Sequence, residues 1–154
     1  MRRRSKMEIR KATPDEAGEI ARIEKMCFSV PWSEKAVSDT MQNEDSLFLA
    51  AYEDDSVVGY IGSYFCRPEG YITNVAVSPE YRRRGIGRAL IEELIKCGEK
   101  LSLSFWTLEV RESNDAAISL YSSLGFESVG KRPRFYSSPE EAAILMTYYF
   151  DAQN

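Results

Sequence analysis

Apolar residues recur along the chain at two spacings, and their order predicts a sheet flanked by helices. Alternation with a period of two predicts strands over residues 7–11, 47–53, 57–67, 71–77, 105–111, 126–131 and 142–150. Spacing of three and four predicts one helix from Thr13 to the break at Pro31, and others over residues 33–43, 85–100 and 115–124. This order predicts an α/β (α+β) fold, with a central mixed sheet of about seven strands and about four flanking helices.

The predicted elements follow one another without a linker or an internal repeat. A chain of 154 residues is long enough for one domain with a substantial core. We therefore predict a single domain over residues 7–154. Residues 1–6, which hold four basic side chains before the first strand, are predicted to be a loose basic extension.

The chain contains no histidine, and this absence narrows the possible chemistry. It excludes Ser-His-Asp and Cys-His relays, histidine-containing zinc sites and a histidine proton shuttle. The three cysteines (Cys27, Cys66 and Cys97) are widely spaced and form no C-x-x-C pair. This pattern predicts reduced, mostly buried thiols in a cytoplasmic protein and no metal site. Proton transfer must then use carboxylates, tyrosines, lysines, the termini or water.

Charge is unevenly distributed, although the net charge is only −4. Two windows without any acid hold eight basic residues: Arg2, Arg3, Arg4, Lys6, Arg82, Arg83, Arg84 and Arg88. The remainder is strongly acidic. This division predicts a small anion at the second basic window and a cationic partner elsewhere. A nucleic-acid partner is not expected, because it favours a broader basic face. No apolar run is long enough to suggest a membrane span.

The second basic window lies where a predicted strand leads through a glycine-containing loop into a helix. Backbone N–H groups at a helix N-terminus bind anions, and arginines add bidentate contacts to phosphate oxygens. A dinucleotide fingerprint fails, because Leu90 stands where the third glycine is needed, and the Gly-Lys-Ser/Thr of a P-loop is absent. The pattern that fits is R-x-x-G-x-G from Arg82 to Gly87. The alternative from the residues alone is a solvated arginine run beside an ordinary helix.

That loop resembles the coenzyme A pyrophosphate loop of the GNAT superfamily of acyl-CoA-dependent N-acetyltransferases. The segment L-E-V-R-E-S-N at residues 108–114, followed by L-Y at 120–121 and L-G-F at 124–126, resembles the later motif of that superfamily. The residues at 108–114 are similar to those of the RimI-like branch, whose members acetylate the N-terminal alanine of a small-subunit ribosomal protein. Residues 28–34 and 134–146 resemble further segments of this branch. The resemblance implies the GNAT fold, with a mostly antiparallel sheet.

The resemblance also implies the roles of individual residues. Glu109 would be the general base and Tyr121 the general acid of direct acetyl transfer from acetyl-CoA to the α-amine of a basic ribosomal protein or peptide. It places this enzyme in the cytoplasm and requires no metal. Contacts to acetyl-CoA are carried onto Val75, Ala76, Val77, Arg83, Arg84, Gly85, Ile86, Gly87, Arg88 and Asn114.

The residues alone leave other interpretations open. Glu109 can pair with an arginine, Tyr121 can be an aromatic core residue, and Asn114 can cap the helix that follows it. Phe135 and Ala142 depart from the branch, which usually has tyrosine and often an acid at these positions, and this affects the peptide preference. Two alternative functions are acetylation of lysine, polyamine or another small amine, and a non-catalytic module that binds nucleotide or RNA. The sequence does not define the oligomeric state.

Overall fold

The structure, a computed structural model, describes residues 7–150, and its elements occur in the predicted order. The strands are β1 (Met7–Lys11), β2 (Ser46–Glu53), β3 (Ser56–Cys66), β4 (Glu69–Val77), β5 (Phe105–Arg111), β6 (Glu127–Tyr136) and β7 (Glu141–Tyr149). The helices are α1 (Ala17–Cys27), α2 (Glu34–Met41), α3 (Ile86–Lys100) and α4 (Asp115–Ser123). The predicted extension at residues 1–6, and the last four residues of the predicted domain, lie outside the described residues.

The strands form a seven-stranded sheet in the order β1-β2-β3-β4-β5-β7-β6. β1 pairs antiparallel with β2, and β7 pairs antiparallel with both β5 and β6. β4 and β5 are parallel and are joined by the long connection that contains α3. The predicted mixed, mostly antiparallel sheet with four helices is therefore confirmed.

The chain divides into two compact units, and β3, β4 and α3 contribute residues to both. Among the described residues, the first unit contains residues 7–63 together with Asn74–Leu94. Its core is formed by side chains of α1, α2, β2 and β3 that are at most 3% exposed, among them Ile20, Ile23, Val37, Phe48 and Tyr60. Ile20 and Ile23 thus form the buried face of α1, and Cys27 is partly buried against the same core.

The second unit contains Tyr64–Thr73 and the described residues 95–150. Trp106 of β5 is fully buried, and Leu108 and Val110 are buried beside it on the same face of the strand. Gly70 and Gly98 lie against its indole ring so closely that a Cβ at either position would overlap it. β5 therefore alternates as predicted, and Glu109 lies on its less buried face.

Three local expectations differ from the structure. The turn at Pro14–Glu16, predicted as the start of the first helix, is a 3-10 helix with a capping box between Thr13 and Glu16, and the α-helix starts after it. β6 continues to Tyr136 rather than stopping at 131, because its pairing with β7 resumes after an irregularity that follows Arg132. The expectation of mostly buried thiols is wrong: Cys66 is exposed, and Cys27 and Cys97 are only partly buried.

Candidate active site

The segment between β4 and α3 forms an open glycine-containing loop in the first unit. Gly85, the residue before α3, has φ +77°, a conformation that L side chains rarely adopt. A Cβ at this position would meet no atom within 4 Å, so the space at the start of the helix is open. The first turn of α3 then places Ile86 in the core and leaves Arg88 exposed. An anion can therefore approach the backbone N–H groups of this helix N-terminus.

The consecutive arginines of this loop differ in their contacts. Arg82 donates from Nε to the Val77 carbonyl at 3.1 Å and from Nη2 to the Cys27 sulfur at 3.3 Å. Arg84 has Nη1 3.8 Å from an oxygen of Glu53, and its guanidinium stacks over a tyrosine ring. Within residues 7–150, the exposed Arg83 has neither an ion pair nor a hydrogen bond from its guanidinium. It is therefore the arginine most available to a phosphate.

The end of β4 that precedes this loop is tightly packed against β3. Ala76 is buried, while Val75 and Val77 are partly exposed. A Cβ at Gly59 of β3 would lie 3.1 Å from the Ala76 carbonyl, so this glycine permits the close approach of the two backbones. These three residues, which are among those predicted to contact acetyl-CoA, thus lie on the part of β4 that packs closely against β3 in the first unit.

A buried carboxylate, which sequence reasoning missed, lies next to these residues in the first unit. Glu24 of α1 is fully buried, and its oxygens accept hydrogen bonds from the Trp32 N–H at 3.0 Å and the Asn74 side-chain amide at 3.0 Å. The Tyr60 hydroxyl donates to the same carboxylate. Burial and the charge of Glu24 raise the pKa of the Tyr60 phenol. This network joins α1, the loop after it and β4, whose Asn74 directly precedes Val75. The signal in the sequence is the acid four residues after Ile20, on the buried face of the helix.

The predicted general base lies in the middle of β5 in the second unit. The Glu109 side chain is only 6% exposed, and its carboxylate accepts a hydrogen bond from the Tyr71 hydroxyl of β4. Arg132 Nε of β6 lies 3.6 Å from its other oxygen. Burial raises the pKa of the Glu109 carboxyl, and the charge of Arg132 opposes this increase. The arginine partner considered from the sequence is therefore present, and Tyr71 is an additional partner that sequence reasoning missed.

Tyr121, the predicted general acid, is buried on α4 in the same unit. Its ring packs on Phe126 with a centroid distance of 5.6 Å, as expected for an aromatic core residue. Burial and then the neighbouring Tyr136 raise the pKa of its hydroxyl to about 12. Burial and then Glu109 likewise raise the pKa of Tyr136 to about 12. Tyr136 therefore interacts electrostatically with both Glu109 and Tyr121.

The loop after β5 is fixed by two sets of polar contacts. Asn114 Oδ1 accepts a hydrogen bond from the Ala117 N–H at 3.2 Å, so its interpretation as a helix cap is confirmed, and its contact with acetyl-CoA stays a prediction. Arg111 donates to the Pro139 carbonyl at 2.9 Å and lies 3.2 Å from Glu141. The other oxygen of Glu141 accepts from the Ser113 N–H at 2.6 Å. These contacts tie the loop between β6 and β7 to the end of β5.

Within residues 7–150, no three cysteine, aspartate or glutamate side chains converge in a way that could hold a metal ion. No helix in this part of the chain combines the length and apolarity required to cross a bilayer.

The chain is similar to known proteins in sequence and in fold. The sequence model of the Acetyltransferase (GNAT) family matches residues 17–126. The chain is 38% identical to the [ribosomal protein bS18]-alanine N-acetyltransferase of Escherichia coli K12, over 80% of this chain and 84% of that one. It is 27% identical to a putative enzyme of the same description from Bacillus subtilis, over 93% and 95%. The crystal structure of the ribosomal-protein-S18-alanine N-acetyltransferase from E. coli superposes with a TM-score of 0.90, at 32% identity and 97% coverage of both chains.

Proposed function

The chain belongs to the GNAT family of acetyltransferases, and on this basis we propose that it acetylates the N-terminal alanine of a small-subunit ribosomal protein, with acetyl-CoA as donor. The observation that carries the proposal is the match to an alanine N-acetyltransferase over four-fifths or more of both chains. The superposition over nearly the full length of a solved enzyme of this activity supports it.

The strength of the predicted base favours an α-amine as acceptor. An α-amino group has a pKa of about 7.7–8.0, so about one in seven is already neutral at pH 7. For a lysine side chain with a pKa of about 10.4, only about one in 2,500 is neutral. Burial raises the pKa of the Glu109 carboxyl, and the charge of Arg132 opposes this increase. A base of this kind removes the proton of an α-ammonium much more readily than that of a lysine.

The donor is proposed to bind through the loop of the first unit. The N-terminus of the fifteen-residue helix α3, the open space at Gly85 and the unpaired Arg83 suit a pyrophosphate. Arg84, Ile86, Gly87 and Arg88 belong to the same loop and first helical turn. The backbone of Val75, Ala76 and Val77 would accept and donate hydrogen bonds along the pantetheine arm, and the contact of Asn114 with acetyl-CoA stays a prediction.

The proton path uses side chains of the second unit. Acetyl-CoA supplies the acetyl group as a thioester, and the new N–C bond forms as the C–S bond breaks. Glu109 takes the proton that leaves the amine, while the Tyr71 hydroxyl orients its carboxylate. Tyr121 retains its proton near neutral pH because its pKa is about 12, and it donates this proton to the departing thiolate. Both acetyl-CoA and newly made ribosomal proteins occur in the cytoplasm, which is where the proposal locates the enzyme.

Mass spectrometry of peptides incubated with acetyl-CoA and the enzyme tests this proposal. The substrates are an alanine-starting basic peptide, the same peptide with a blocked N-terminus and an internal lysine, and spermidine. We expect one added acetyl group at the alanine α-amine, located by fragmentation, and much slower reaction of the other two. Preferential acetylation of the blocked peptide or of spermidine would overturn the α-amine assignment. A protein that binds RNA and acetylates none of the three would contradict the enzymatic function.

A further inference from the structure

The two members of the Arg132–Glu109 ion pair differ greatly in exposure. The Glu109 side chain is 6% exposed, whereas that of Arg132 is 56% exposed, with Nε 3.6 Å from the carboxylate oxygen. The guanidinium is therefore the solvent-facing partner of a covered carboxylate. An exposed arginine of this kind is held by a weak interaction and can move away at little cost.

The other groups that face Glu109 are fixed in place. From β4, Tyr71 donates its hydroxyl to the carboxylate, and its ring stacks on Tyr64 at 5.2 Å. From β6, the half-buried Tyr136 interacts electrostatically with Glu109. β7 places Leu145 directly opposite Glu109 in the antiparallel ladder.

The second cation near this group is also fixed. Arg111 lies two residues from Glu109 on β5. Its guanidinium donates hydrogen bonds to the Glu141 carboxylate and to the carbonyls of Ser137 and Pro139. Its remaining side faces the Tyr136 ring at 4.5 Å. Of these two arginines, Arg132 lies beside the carboxylate and is largely exposed, whereas Arg111 is held by its own partners.

We propose that Arg132 is a displaceable counter-cation that occupies the position beside Glu109 which the ammonium group of the acceptor takes on binding. This inference rests on the proposed function, because it requires Glu109 to receive the acceptor amine. The Tyr71 hydroxyl occupies one oxygen of Glu109 and Arg132 faces the other, so an ammonium group that reaches this carboxylate takes the place of the exposed arginine. Repulsion between the two cations favours this exchange.

Two consequences follow from this exchange. The arginine competes with a protonated acceptor and therefore raises the KM for the acceptor. Its charge also stabilises the ionised form of Glu109, so the carboxylate remains a proton acceptor at a lower pH than burial alone would allow. Arg132 is therefore a positioning residue that acts through the base and does not itself exchange a proton.

The test compares Arg132→Gln and Arg132→Lys with Arg134→Gln. Arg134 is a matched control, because it lies two residues away on the same strand, is 85% exposed and pairs with Glu140 at 3.3 Å. The specificity constant kcat/KM for an alanine-starting peptide is measured from pH 5 to pH 10, and its decrease at low pH defines the acidic limb of the profile. In R132Q we expect the acidic limb to move to higher pH by about 0.5–1 unit and the acceptor KM to fall about two- to fivefold, with the acetyl-CoA KM unchanged. R132K and R134Q should retain the wild-type limb.

A second measurement keeps this proposal separate from the assignment of Glu109 as the base. Carboxyl NMR titration of Glu109, in protein without substrates, should show a higher pKa in R132Q than in wild type. An unchanged Glu109 titration in R132Q, or an equal effect of R134Q, would overturn the role of Arg132. If instead E109Q retains the wild-type acidic limb, the base assignment fails, and the titration still decides whether the arginine is coupled to the carboxylate.

Discussion

Replacement of Arg83 by alanine should weaken binding of coenzyme A more than replacement of Arg84. The reason lies in what each guanidinium contacts before the ligand arrives. Arg83 has no acidic or hydrogen-bonding partner within residues 7–150, so its whole interaction with a phosphate is gained on binding. Arg84 must first leave Glu53, whose oxygen lies 3.8 Å away. The two variants therefore separate a free cation from one that is already neutralised.

The expected magnitudes follow from these contacts. A hydrogen bond to a charged group contributes about 1.5–3 kcal/mol, and we take the lower limit because the loop is exposed. Loss of Arg83 should then raise the Kd about tenfold, since 1.4 kcal/mol corresponds to a factor of ten. The Arg84 side chain is 56% exposed and that of Glu53 is 16% exposed. At the upper end of the range of about 0.2–1 kcal/mol for solvated ion pairs, this pair offsets most of what Arg84 gains. Loss of Arg84 should therefore raise the Kd only about threefold.

Isothermal titration calorimetry with coenzyme A, at one fixed ionic strength, measures these differences. Arg22→Ala, which removes an exposed arginine from α1, controls for the change in net charge. Glu53→Gln releases Arg84 and should lower the Kd by up to about threefold. A larger loss in the Arg84 variant than in the Arg83 variant, or an Arg83 variant with wild-type affinity, would refute this account of the loop.

Three further predictions concern the two carboxylates. Glu109→Gln should lower kcat about 10²- to 10⁴-fold in steady-state assays and leave the Kd for coenzyme A within about twofold, because an amide cannot accept the proton; a wild-type kcat would exclude Glu109 as the base. Tyr71→Phe removes a hydrogen bond to the ionised carboxylate, so the acidic limb of kcat/KM should move to higher pH, whereas the control Tyr64→Phe should not move it. Glu24→Gln places an amide against three hydrogen-bond donors, of which the Tyr60 hydroxyl belongs to a fully buried residue. This substitution should lower the free energy of unfolding in urea by about 2–4 kcal/mol, compared with under about 0.5 kcal/mol for Glu34→Gln at an exposed position. A loss below about 1 kcal/mol would show that the network relaxes around the amide.

The sequence contained enough information to predict the fold and the position of Glu109 in its strand. Strict alternation over Phe105–Arg111 places Glu109 on the face opposite Trp106, and the structure has this arrangement. The bounds of the helices differ by only a few residues, because caps such as Ser33 and Asn114 are local signals. Local patterns of this kind need no knowledge of distant parts of the chain.

Partners that lie far apart in the chain could not be predicted in the same way. The Tyr71 hydroxyl reaches Glu109 across thirty-eight positions, and their contact depends on the parallel register of β4 and β5. The different availability of Arg83 and Arg84 depends on Glu53, which comes from another strand. Among these missed groups, Glu24 is recognisable from the sequence, because it is an acid on the otherwise apolar face of its helix.

The position of β6 at the end of the sheet has a consequence for solubility. An edge strand offers unpaired backbone groups to other chains, and charged side chains, proline and irregular pairing reduce this risk of aggregation. β6 has all three: Lys131, Arg132 and Arg134, the intervening Pro133, and two shifts of register against β7. Arg132 therefore protects an edge as well as contacting Glu109. An apolar replacement there would expose the strand to self-association, which explains why glutamine and lysine are the informative substitutions.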